Sequence, residues 1–105
     1  MIDVAGFEDL RRYIKRRVSY ARYRVGTTYH QIYLSKVQIL ANGTVRVQLN
    51  INSNGAAMTV NRVELYNTDG QLWAYQDCKI ELEAAQTGIL FWFDFTLREE
   101  VSTNV

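Results

Sequence analysis

An α+β fold, with one N-terminal amphipathic helix packed on an antiparallel sheet of five or six strands, is predicted by three features of this sequence. Apolar residues recur at steps of three and four only near the start of the chain. Beyond Gly26 they alternate with polar ones every second position, and Asn-Gly and Asp-Gly pairs punctuate the alternation. A small β-sandwich with a helical lid is the alternative arrangement of the same elements.

Phe7, Leu10, Ile14, Val18, Ala21 and Val25 fall on one stripe of a helix, which predicts a helix running to the neighbourhood of Arg24. Gly26 then stands where a helix C-terminus favours glycine. Val45, Val47, Leu49 and Ile51 alternate with Thr44, Arg46, Gln48 and Asn50, a strand with one buried face. Asn42-Gly43 before it predicts a type I′ hairpin with the run Tyr33–Leu40. The apolar parity of that run changes between Leu34 and Val37, which a bulge near Ser35-Lys36 reconciles.

Ser53–Ala57 reads as a loop. Val60–Tyr66 and Leu72–Leu82 flank Asn67-Thr68-Asp69-Gly70 as a second hairpin, whose second arm is long enough to bend or split into two strands near Gln76-Asp77. Glu83–Gly88 reads as a connection with room for one helical turn. Ile89–Leu97 begins apolar on both faces, the pattern of a central strand, and the tail Glu99–Val105 has little to pack. The expected core is Leu10, Ile14, Val18, Val47, Leu49, Val63, Leu65, Phe91, Phe93 and Phe95.

The 105 residues match one domain, spanning 1–105, and are enough to bury a core without disulfides or metals. Hydrophobic residues make up 48% of the chain, so disorder is excluded. With one cysteine, Cys78, no internal disulfide forms, and a reducing compartment is favoured. Neither a signal peptide nor an apolar run of membrane-spanning length is visible, so the expected location is the cytosol and no membrane partner is expected. The net charge of +1 is unevenly spread. Residues 1–24 hold seven basic and three acidic groups, whereas 25–105 hold five and eight. The basic field therefore belongs to the first element.

No phosphate-binding glycine loop, nucleophile elbow or metal-ligand spacing is present, so no cofactor or metal is expected and the chain reads as a non-enzyme. His30 and Cys78 are the one conceivable base and nucleophile pair. Cys78 shares parity with Ile80 and Leu82 and reads better as a small buried hydrophobe, and His30 as a residue on a strand edge. Asp94, between Trp92 and Thr96, is the sharpest carboxylate. It serves as a catalytic acid if buried, and otherwise pairs with an arginine or faces solvent, the favoured reading. Trp73, Trp92 and Asp94 are the candidates for a small-molecule pocket between helix and sheet. Tyr13, Arg17, Tyr20 and Arg24 follow one another at steps of four, three and four, which on a helix makes a row beside the buried stripe. Tyrosine and arginine are enriched at protein hot spots, and such a row also suits bases and phosphates. The alternative is a purely structural row covering the sheet margin and pairing with Glu81, Glu83 or Asp94. The modest net charge disfavours nucleic acid.

The segments VNRVELYNTDGQLWAYQDCKIEL and GILFWFDFTLREE resemble small proteins of bacteriophages and prophages, which often carry strand–Asp-Gly–strand units ending in an aromatic strand. The resemblance spans roughly residues 58–98 and leaves the helix unaccounted for. It implies a non-catalytic role in the virion, or as an inhibitor of a host protein in the cytosol, and carries over no site residues. The expected function is thus a protein-binding module acting through the Tyr/Arg row or a sheet edge, with self-association compatible. Nucleic-acid binding by the helix and a small-molecule site are the alternatives.

Overall fold

The computed structural model describes residues 1–53, 55–84 and 88–100. One helix, α1 (Val4–Arg17), precedes seven strands: β1 (Val18–Val25), β2 (Thr28–Tyr33), β3 (Lys36–Ile39), β4 (Val45–Ile51), β5 (Met58–Asn67), β6 (Leu72–Leu82) and β7 (Ile89–Phe95). They form two antiparallel sheets in place of the single sheet expected, with orders β2-β1-β5-β6 and β3-β4-β7.

The helix is shorter than its apolar stripe. Asp3 caps it, its carboxylate accepting from the Val4 amide at 2.8 Å, and it stops at Arg17. Val18, Tyr20, Tyr23 and Val25 are β-branched or aromatic and favour extended backbone once a neighbouring strand is present. Val18–Val25 pairs with β2 on one side and β5 on the other, with a register shift between Val18 and Tyr20. Gly26 accordingly ends no helix. It sits at φ +61° as the first residue of the two-residue β1–β2 hairpin loop, a place that favours glycine.

The parity change between Leu34 and Val37 is no bulge. At Leu34-Ser35 the chain leaves the four-stranded sheet and enters the three-stranded one, the Ser35 amide donating to Gln48 O at 2.8 Å. The β3–β4 hairpin forms as expected but with a longer loop than a type I′ turn. Leu40 N donates to Thr44 O and Gly43 N to Leu40 O, with Gly43 at φ +88°. This is a three-residue loop ending in a glycine bulge, and a Cβ at Gly43 would collide with the Arg11 guanidinium. The β5–β6 turn repeats the scheme, with Asn67 N to Gln71 O, Gly70 N to Asn67 O, and Gly70 at φ +73°. β6 stays one strand, its register shifting across from Val60–Arg62 rather than splitting near Gln76-Asp77. The helical turn anticipated in Glu83–Gly88 falls on 85–87, outside the described residues, as do Val101–Val105 of the tail and Asn54 of the Ser53–Ala57 loop.

Inward residues of the two sheets interleave. Ala21, Tyr23, Val60, Val63 and Leu82 of the larger sheet cluster with Leu49 and Ile51 of the smaller. Ile14 and Val18 join Val45, Val47 and Leu65 in a second cluster beside it. Two core expectations need correction. Leu10 is exposed because the helix docks through its C-terminal half, where Ile14 is its one buried residue. Phe91, Phe93 and Phe95 are only half-buried because β7 is an edge strand, not a central one. Ile14→Ala is expected to cost about 2–4 kcal/mol in urea denaturation. A midpoint unchanged from that of a surface control would mean that the helix is not docked.

Candidate functional site: the outer face of the four-stranded sheet

On β1 and β5 the residues of one parity enter the core, so those of the other line the outer face. Tyr20, Arg22 and Arg24 point outward from β1, opposite Tyr66, Glu64 and Arg62 of β5. The flanking strands extend the rows, Tyr33, Gln31 and Tyr29 on β2, and Tyr75 and Asp77 on β6. The resulting face carries five tyrosines, three arginines and two carboxylates, Glu64 and Asp77.

Glu64 lies at its centre and is buried to 3% exposure beneath its own neighbours. Its Oε1 accepts from Tyr66 Oη at 2.8 Å and from Arg22 Nη2 at 3.0 Å, and its Oε2 from Arg62 Nε at 2.9 Å. Burial pushes the carboxyl pKa up, but the hydrogen bonds from Tyr66, Arg22 and Arg62 outweigh it and hold the group below its ordinary value. Burial and donation to a carboxylate both raise the Tyr66 hydroxyl pKa. Arg62 also reaches Asp77 at 3.2 Å and lies 3.9 Å over the Tyr75 ring. Arg22 lies over both Tyr29 (4.3 Å) and Tyr66 (4.8 Å), and Tyr20 stacks parallel on Tyr66 at 4.9 Å. Arg24 donates to Asn61 Oδ1 at 2.7 Å and approaches Tyr29.

The four residues of the supposed helical row separate. Tyr13 and Arg17 are on α1, while Tyr20 and Arg24 are on β1 and belong to the outer face. Arg17 clamps the β5–β6 turn, its guanidinium donating to Thr68 Oγ1 and to Asp69 at 2.8 Å, while its carbonyl accepts from Thr68 N. Tyr13 is exposed beside Arg16. Of the carboxylates expected to meet these arginines, Asp94 pairs with Arg46 and Glu81 with Lys79 instead.

The pocket candidates also separate. Trp73 is exposed, with its ring 5.7 Å from that of Phe95, centroid to centroid. Trp92 and Asp94 have the opposite parity to Phe95 and lie on the outer face of β7. There Asp94 binds Arg46 through both oxygens at 2.8 and 2.9 Å, and Arg46 lies over Trp92. Hydrogen bonding from Arg46 holds the Asp94 pKa below its usual value, opposite to what a catalytic acid needs. His30 and Cys78 occupy β2 and β6, the two edges of one sheet. Three strand spacings, roughly 14 Å, separate them, too far for proton transfer. His30 stacks on Tyr23 at 5.0 Å, and burial raises the Cys78 thiol pKa. A cavity of about 830 Å³ at the β5–β6 end contributes only carboxylates of titrating chemistry, Glu81 and Glu83. Among the described residues no cluster of three or more His, Cys, Asp or Glu is placed to hold a metal, and no helix is long and apolar enough to cross a membrane.

Comparison of the chain with family models, with curated proteins and with solved structures finds no match.

Arg62, Glu64, Tyr66 and Tyr75 were not singled out by sequence reasoning, and Arg22 only as a residue flanking the helical row. The signal that finds them is the outward parity of Arg62, Glu64 and Tyr66 between Val63 and Leu65.

Proposed function

We propose that this chain is a non-catalytic protein-binding module that engages its partner with the outer face of the four-stranded sheet. The observation that carries this reading is the state of the arginines. Arg22 and Arg62 are stacked on tyrosine rings and already neutralised by Glu64 and Asp77. Such a face offers rigid aromatic area and fixed donors at low entropy cost, the composition of protein hot spots. Little unspent positive charge remains for phosphates, and the carboxylates within the face repel them. The resemblance to phage proteins extends the proposal to a mobile-element protein, acting within the virion or on a host protein in the cytosol.

The test is an affinity capture from the native host with and without nuclease, using the wild type and a Tyr29→Ala/Tyr75→Ala double variant. The expected result is a protein partner retained after nuclease and weakened in the variant by more than about 2 kcal/mol. Capture that disappears with nuclease, or falls steeply with salt, replaces the reading with nucleic-acid binding. Undiminished capture by a folded double variant removes the outer face from it.

A further inference from the structure

The four-stranded sheet has two edges, and they are built differently. The β6 edge carries Asp77, Lys79 and Glu81 and a register shift, features that discourage another strand from pairing. In the other sheet, β3 is four residues long and starts at Lys36, and β7 carries Asp94. The β2 edge, Thr28-Tyr29-His30-Gln31-Ile32-Tyr33, has no Asp, Glu, Lys, Arg or Pro, and its pairing with β1 runs without a shift. Five of its six residues are exposed, Tyr33 at 88%. It is the least protected edge among the described strands.

Its hydrogen-bonding phase follows from the turn. Val25 and Thr28 close a two-residue loop and so exchange both backbone bonds. Alternation then points the amides and carbonyls of Thr28, His30 and Ile32 at β1, and those of Tyr29, Gln31 and Tyr33 at the open edge. This set is symmetric about Gln31. A second β2 laid antiparallel sets Gln31 against Gln31 of the second copy and Tyr29 against Tyr33 of the second copy, and each pair exchanges two backbone bonds. On the outer face the matched side chains are tyrosine on tyrosine, a favourable cross-strand pairing, and no like charges meet across the axis.

We propose that the chain forms a two-fold homodimer by antiparallel β2–β2 pairing centred on Gln31, joining two four-stranded sheets into one of eight. The inference rests on the topology and the edge, independently of what the outer face binds. The dimer makes the two Tyr/Arg faces continuous across the axis.

Sedimentation velocity over a range of concentrations tests it with wild type, Gln31→Lys, Gln31→Glu and an equimolar mixture of the two variants. Gln31 has an exposed side chain and an amide turned away from β1, so both variants keep the fold, read as an unchanged circular dichroism spectrum. The expected result is a wild-type dimer, association weakened about tenfold or more in each variant alone by like charges at the axis, and recovery in the mixture. A wild type that stays monomeric at every concentration overturns the proposal. So does a dimer indifferent to charge at Gln31, or one that the mixture does not restore.

Discussion

Leu49→Ala is expected to lower the stability of the fold by about 3–5 kcal/mol, a large part of what a domain of this size commands. Leu49 is fully buried on β4, the middle strand of the smaller sheet, and its side chain enters the cluster built mainly from the larger sheet. Truncation therefore opens a void where the two sheets meet, between backbones held by their own ladders and unable to collapse into it. The contrast is Leu90→Ala on β7, which pairs across from Asn50 with its side chain 60% exposed and should change stability by no more than about 0.5 kcal/mol. Urea titrations of both variants measure this, with the midpoint falling for Leu49→Ala at an unchanged slope. Equal midpoints for the two would mean that the sheets do not share a core.

What could be read from the sequence was local. The strand Val45–Ile51, both expected hairpins and the presence of an N-terminal helix follow from periodicity and turn residues within about ten positions of each other. The end of the helix did not. Val18, Ala21 and Val25 satisfy helical spacing, but a strand with one irregularity satisfies it equally. A shift between Val18 and Tyr20 brings Val18 inward, and Ala21 and Val25, four apart, share a strand face. The same ambiguity concealed the outer face. Tyr20 and Arg24 were picked out as members of a helical row, although what groups them with Arg22 is the period of two. Their partners on β5 lie some forty positions away, Arg22 opposite Glu64, and nothing local announces that pairing. The division into two sheets was hidden for a related reason. A parity change at Leu34-Ser35 marks a bulge and a crossover alike, and only the hydrogen-bonding partner of Ser35 separates them.

Glu64→Ala is expected to destabilise the protein by about 3 kcal/mol, although no core atom is removed. The substitution leaves the Arg22 and Arg62 guanidiniums packed against the sheet without their shared counter-charge, and the Tyr66 hydroxyl without its acceptor. Removing one member of a buried ion pair costs about 3–5 kcal/mol in well-enclosed cases. The lower figure applies because Glu64 is covered by surface side chains and Arg22 remains partly in solvent. Acid should reproduce part of the loss in the wild type. The folded-state pKa of Glu64 lies below its ordinary value of 4.5, so its contribution is complete above that pH and is lost as pH falls through the folded value. Glu64→Gln preserves the shape but not the charge, so its stability should vary less with pH across that acid range than the wild type's. Urea denaturation at pH 7 and at steps below pH 4.5 gives both quantities. If Glu64→Ala were as stable as wild type at pH 7, or if the acid dependence of Glu64→Gln matched that of wild type, the carboxylate would not be what holds the tyrosines and arginines of this face in place.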